Sequence, residues 1–299
     1  MKLGIALPIA EDDAGGMAGY AEMRGMALRA EAAGFDSVWV YDHLLYRWPG
    51  QPTRGTWEAW TVLAALAEAT ARVELGTLVL CTGFRNPALL AKMADALEEV
   101  SGGRLILGIG AGWHEPEYDA FGYPFDHRAS RFEEAIGIIH PLLRSGAVDF
   151  HGTYSKASDC VLRPRGPRPA GPPILVGTGG ERMLRLTARY ADAWNTCWLG
   201  RPTLLAERRA KLEAACAEVG RDPATIEVTV GVAVDFPEAG TDAPDPDRAL
   251  SGSAEEIAAG LREYADLGVG HVICACAPNT TASLERLTEA LAAYRAAAG

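Results

Sequence analysis

The chain has 299 residues, 48% of them apolar and 22% charged, and carries a net charge of -11 with a pI ≈ 5.1. A large buried core is expected, while the acidic balance leaves no electrostatic footprint for nucleic acid and disfavours an anionic membrane surface. No apolar run approaches the roughly 18 residues of a membrane span, and Met1 to Pro8 lacks the apolar stretch of a signal peptide, so no membrane partner is expected.

Short apolar runs alternate with longer amphipathic ones along the chain. Leu3 to Leu7 reads as a strand, Tyr20 to Ala33 as a helix stopped by Gly34, and Ser37 to Tyr41 as a strand. A helix is expected over Trp57 to Thr70 and a strand over Val73 to Leu80. Asn86-Pro87 caps a helix to about Val100, and Arg104 to Ile109 follows as a strand. In the second half the strands are Pro173 to Val176, Asp192 to Thr196, Thr225 to Val234 and Gly270 to Cys276. The helices are Glu181 to Tyr190, Thr203 to Val219, one opened by the capping box Ser253 to Glu256, and Ser283 to Ala297.

Eight apolar strands alternating with helices predict one domain over residues 1–299, an α/β fold of the single (β/α)8 TIM-barrel type. A doubly wound open sheet is the alternative. A long insertion between strand 4 and strand 5, about 113–172, contains a helix near 131–143 and a hairpin around His151-Gly152-Thr153. A second long connection, about 237–251, is rich in Pro, Asp and Gly and is expected to be mobile. The six cysteines are scattered and read as reduced thiols of a cytoplasmic protein.

A barrel places its chemistry on the loops after the strands. Asp42-His43 follows the second strand, where a histidine can exchange a proton near neutral pH or merely bond the scaffold. Gly108-Ile109-Gly110-Ala111-Gly112 ends the fourth strand without the G-x-G-x-x-G order, so its glycines admit a flat ring or a phosphate, or serve tight packing. Gly177-Thr178-Gly179-Gly180 leaves a strand and enters a helix, which makes either an anion cradle or an ordinary turn. No lysine follows it in Walker fashion, so a monophosphate or phosphodiester fits better than a triphosphate. His114-Glu115-Pro116-Glu117 has no H-E-x-x-H order and no metal is expected there; no G-x-S-x-G supports a serine hydrolase.

The phrases Ala32 to His43, Trp57 to Trp60, Leu75 to Val79, Phe84 to Met93, Ser101 to Arg104, Leu107 to Glu115, Arg189 to Asn195 and Gly220 to Pro223 resemble the luciferase-like oxidoreductases. Within them the likeness is to the branch that uses the deazaflavin coenzyme F420. This resemblance implies hydride transfer between the deazaflavin C5 and a small or medium organic substrate. His43 would lie near the reactive face with Asp42 before it. Leu78-Val79 corresponds to a bulge with a non-proline cis peptide behind the ring. Gly112, Trp113 and His114 would edge the ring or its side chain, and Gly177, Thr178, Gly179 and Gly180 would hold the phosphate. The insertion would line the substrate pocket, with Tyr118, Phe121, Tyr123 and Phe125 either in that pocket or packing the insertion down.

Many relatives carry Asn at the position of His114, and sugar-phosphate dehydrogenase members carry a glutamate near Ala111, so glucose-6-phosphate is not the expected substrate. The alternatives are an FMN-dependent monooxygenase of the same fold and a cofactor-free barrel with a binding role. A homodimer through barrel helices is open on this resemblance.

Overall fold

The computed structural model describes residues 1–12, 15–237 and 245–297. In chain order its elements are β1 (Lys2–Ala6), α1 (Tyr20–Ala33), β2 (Ser37–Val40), β3 (Leu45–Tyr46), β4 (Arg54–Gly55), α2 (Ala59–Ala69), β5 (Glu74–Thr77), β6 (Leu80–Cys81), α3 (Pro87–Ser101) and β7 (Leu105–Gly110). The insertion follows with α4 (Glu115–Phe121), α5 (Arg128–Ser145), β8 (Ala147–His151) and β9 (Lys156–Val161). The chain continues as β10 (Ile174–Gly177), α6 (Glu181–Tyr190), β11 (Ala193–Leu199), α7 (Leu205–Val219), β12 (Glu227–Asp235), α8 (Ala254–Asp266), β13 (His271–Ala277) and α9 (Thr281–Ala296). The fold is the (β/α)8 barrel, with β1, β2, β5, β7, β10, β11, β12 and β13 as its parallel strands. β2 and β7 are buried along their whole lengths, as strands covered on both faces must be.

The chain divides into two compact units, residues 1–8, 18–39 and 177–299 in the first and 9–17 and 40–176 in the second. In the first, the parallel order is β11-β12-β13-β1-β2, with His271 level with both Lys2 and Thr229. At the start of these strands Trp39 Nε1 donates to Ser37 Oγ at 2.7 Å, and Ser37 Oγ lies 2.7 Å from His271 Nε2. Burial drives the His271 pKa down to about 3, with Lys2 adding to the effect, so the ring is neutral beside the Ser37 hydroxyl. Helices α6 and α7 pack Leu184, Ala188, Leu212, Ala215 and Cys216 onto Trp194 of β11. α8 opens with the expected capping box, Ser253 accepting from Glu256 N and Glu256 returning to Ser253 N.

In the second unit β5 and β10 flank β7, and the short β6 also pairs with β7. Asn86 caps α3, its side chain accepting from Leu89 N with Pro87 in the first turn. The buried acids Asp95 and Glu98 of α3 bind Arg165 and Arg168, which closes the insertion's return to the sheet. β8 and β9 form the expected hairpin, and α5 is longer than the predicted 131–143. The insertion also holds α4, which the sequence reading leaves as loop. Pro116 sits in its first turn, where a proline costs no hydrogen bond, and Gly122 ends it.

Of the connection about 237–251, residues 238–244 lie outside the described residues. Beyond them Leu250 is buried and bridges Val234, its N–H donating to Ala233 O. Among the described residues no helix is long and apolar enough to cross a membrane.

Candidate active site

The loop after β2 carries Asp42 and His43, and the two side chains have different partners. Asp42 is buried and takes two hydrogen bonds from Arg85, at 2.5 and 3.0 Å, and one from Cys81 N at 2.9 Å. Arg85 also reaches Glu58, the residue that caps α2. Burial opposes the guanidinium charge, but Asp42 and Glu58 outweigh it and hold the Arg85 pKa above its ordinary value. The Asp42 carboxylate is thus committed to a buried ion pair.

His43 turns to a residue 74 positions away. Its Nδ1 lies 3.0 and 3.1 Å from the two carboxylate oxygens of Glu117, and Leu44 N donates to the same carboxylate at 2.8 Å. Glu117 stands in the first turn of α4 and is 1% exposed. The ring of Tyr46 lies 4.4 Å from that of His43, and Trp113 meets it edge-on at 5.4 Å. The Thr56 hydroxyl donates to the His43 carbonyl.

The predicted residues after β7 separate into different roles. Gly108 serves packing, since a Cβ there would sit 1.8 Å from Thr77 O. Gly112 has φ +74°, and a Cβ would fall 2.0 Å from Tyr118 Oη. Trp113 is 54% exposed and stacks on Trp48 at 5.7 Å. His114 is buried and accepts from Arg47 N at 3.0 Å. Burial lowers the His114 pKa, and nearby His43 adds to this against Glu117.

Tyr118 donates to Ala111 O at 2.8 Å, so the Cys81 thiol, 2.8 Å away, donates to it. Burial pushes the Cys81 pKa up to about 12, which keeps that thiol protonated. Tyr118 packs on Cys81 and Phe84 together with Tyr123 and Phe125, while Phe121 is exposed. Three of the four insertion aromatics therefore pack α4 down. The Leu78–Val79 peptide is cis, and a second non-proline cis peptide joins Cys197 and Trp198, which the sequence reading does not anticipate.

The glycine cradle belongs to the first unit. Gly177, Thr178 and Gly179 line a cavity of ≈ 440 Å³ with Asn195, Arg208 and Lys211, over an apolar floor of Leu184 and Trp194. No N-cap side chain covers the start of α6, and Thr178 Oγ1 accepts from Gly180 N at 3.3 Å. A Cβ on Gly179 or Gly180 would meet no atom within 4 Å, so neither glycine is needed by the protein's own packing. Arg208 is held over the cavity by Thr196 Oγ1 at 2.5 Å and Cys197 O at 3.0 Å; Lys211 pairs with Glu207. Asn195 is 1% exposed, its Nδ2 bonds Thr229, and its Oδ1 has no partner. Open backbone amides beside two cations fit an anionic group such as a phosphate.

Glu117, Arg85, Arg208 and Lys211 join these sites only in the folded chain. The last two carry a faint signal, being three residues apart and so on one face of α7. Glu117 and Arg85 carry none, because their partners are distant in the chain.

A family model described as luciferase-like monooxygenase matches residues 1–243. A phthiodiolone/phenolphthiodiolone dimycocerosates ketoreductase of Mycobacterium sp. (strain JLS) is 33% identical over 249 residues, 76% of this chain and 63% of its own length. An F420-dependent glucose-6-phosphate dehydrogenase of Amycolatopsis mediterranei (strain U-32) is 37% identical over 173 residues, 56% of this chain and 50% of its own. The chain thus spans between half and just under two thirds of these relatives.

Among solved structures, an F420-dependent secondary alcohol dehydrogenase in complex with an F420–acetone adduct superposes with TM-score 0.82 at 21% identity, covering 98% of this chain and 99% of the other. A coenzyme F420-dependent tetrahydromethanopterin reductase from Methanopyrus kandleri gives 0.78 at 18% identity, covering 98% and 97%. A monooxygenase from Streptomyces bottropensis gives 0.78 at 21%, covering 99% and 100%. At these identities the superpositions establish the fold.

Proposed function

The chain belongs to the luciferase-like monooxygenase family, and on that premise we propose that it is an oxidoreductase using coenzyme F420 on a small or medium organic substrate. The observation that carries this reading is the cavity at the start of α6, whose amides and cations suit a phosphorylated cofactor. The F420-dependent activity named for one curated relative and two superposed structures favours the deazaflavin. When bound, the deazaflavin supplies hydride chemistry at its C5.

The chain's own residues supply binding, orientation and proton handling. Gly177, Thr178, Gly179 and Gly180 hold the phosphate, assisted by Arg208 and Lys211. Leu78 and Val79 support the ring; Gly112, Trp113 and His114 border it, with Trp113 excluding water. His43 holds and moves a proton at Nε2. Asp42, locked by Arg85, sets the backbone ahead of His43 and does not exchange the proton itself. Ala111 offers no carboxylate, which argues against a sugar-phosphate substrate. Six free cysteines suit a cytoplasmic site of action, and a homodimer belongs to the same reading.

The second reading, an FMN-dependent monooxygenase, is favoured by the monooxygenase that superposes as well as the reductase does. A fluorescence titration of the purified protein with F420 and, separately, with FMN decides between them. Tight F420 binding with weak FMN binding is expected. A preference for FMN moves the protein to the oxygen-using branch, and binding of neither leaves a cofactor-free barrel.

A further inference from the structure

Glu117 is the residue whose position asks most for an explanation. A carboxylate with 1% exposure is costly to bury unless its oxygens are satisfied, and here the satisfying donors are Leu44 N and the ring of His43. An ionised carboxylate only accepts hydrogen bonds. The hydrogen between the two groups therefore belongs to His43 Nδ1, and the opposite tautomer would set a ring lone pair against two carboxylate oxygens.

The surroundings keep this arrangement from relaxing. α4 is pinned by Tyr118, which donates to Ala111 O and accepts from Cys81. Glu117 N itself donates to His114 O at 3.2 Å. On the other side, Tyr46 and Trp113 limit rotation of the imidazole, whose side chain is 12% exposed.

We propose that Glu117 is a positioning residue that fixes His43 as the Nδ1–H tautomer, so that Nε2 presents the lone pair that exchanges the proton. A proton taken up at Nε2 leaves an imidazolium facing the Glu117 carboxylate, which stabilises it without moving any group. The catalytic consequence rests on the proton role of His43 given above, whereas the tautomer assignment does not.

The test is ring-nitrogen NMR on protein labelled with ¹⁵N-histidine, the His43 signals being identified by their loss in His43→Gln. In the unaltered protein Nδ1 is expected to be protonated and Nε2 not. In Glu117→Gln the amide oxygen can still take Leu44 N while the amide N–H₂ faces Nδ1, so the proton moves to Nε2. Glu117→Asp should keep the Nδ1–H form. An Nε2–H ring or an even mixture in the unaltered protein overturns the proposal, whether or not the variants fold. So does a Glu117→Gln ring that keeps Nδ1–H.

Turnover with F420 and a validated substrate separates the two layers. Glu117→Gln should lower kcat by about 100-fold or more with KM within about threefold, by analogy with tautomer loss in acid–base triads. An intact kcat together with the NMR switch removes His43 from proton handling and leaves the tautomer assignment standing.

Discussion

The His43 cluster of the second unit and the α6 cavity of the first are built in opposite ways. Around His43 the side chains fix one another: Glu117 on the ring, Arg85 on Asp42, Tyr118 on Ala111, and a Cβ on Gly112 would run into Tyr118 Oη. At the cavity Gly179 and Gly180 face open space, and an Asn195 oxygen is left without a partner. A proton carrier works only if its tautomer and direction are set beforehand, so its site is over-determined. An anion site works by leaving amides and cations available, so its site is under-determined until the ligand arrives.

The largest effect is expected from removing a cross-link in the His43 cluster. Arg85→Leu should strand the Asp42 charge in the core and lower unfolding free energy by about 3–5 kcal/mol, read by denaturant titration. A loss below about 1 kcal/mol would mean the network is not structural.

The glycines offer a matched pair. Gly112→Ala meets both a φ of +74° and Tyr118 Oη, and should cost about 2 kcal/mol or more. Gly179→Ala meets nothing, and should leave stability within about 0.5 kcal/mol while weakening F420 binding. Equal thermal shifts in the two variants would erase the distinction.

The first unit also carries a buried titrating group of its own, at the start of β13. His271 is neutral in the folded chain with its pKa at about 3, well below the usual 6.5. The unfolded chain binds the proton first, so this contribution is complete above about pH 6.5 and is lost as the pH falls toward about 3. The slope should reach about 1.4 kcal/mol per pH unit. His271→Gln should flatten that slope; an unchanged acid limb would assign it to other groups.

The smallest effect is expected at the cavity rim. Lys211→Ala removes an exposed cation already paired with Glu207, and should weaken F420 binding about threefold without changing the melting temperature. Raising the salt concentration should shrink that difference.

The chain alone determined what is local. Alternating apolar runs, the Asn86-Pro87 and Ser253 caps and the glycine stops specify strands and helices through contacts within a few residues, and eight such units specify the barrel. The cradle is equally local, since Gly177 to Gly180 are contiguous and the amides they expose belong to the next helix. His43 is visible for the same reason, standing just after its strand. Which carboxylate the histidine faces is set by packing between distant segments: Asp42 is adjacent in the chain but turns to Arg85, and Glu117 arrives from 74 residues away. Its helix reads as loop in the sequence because seven residues leave too few periodic positions to recognise. Pairing of this kind is set by the closing of the sheet and the packing of the insertion, and neither leaves a mark in local spacing.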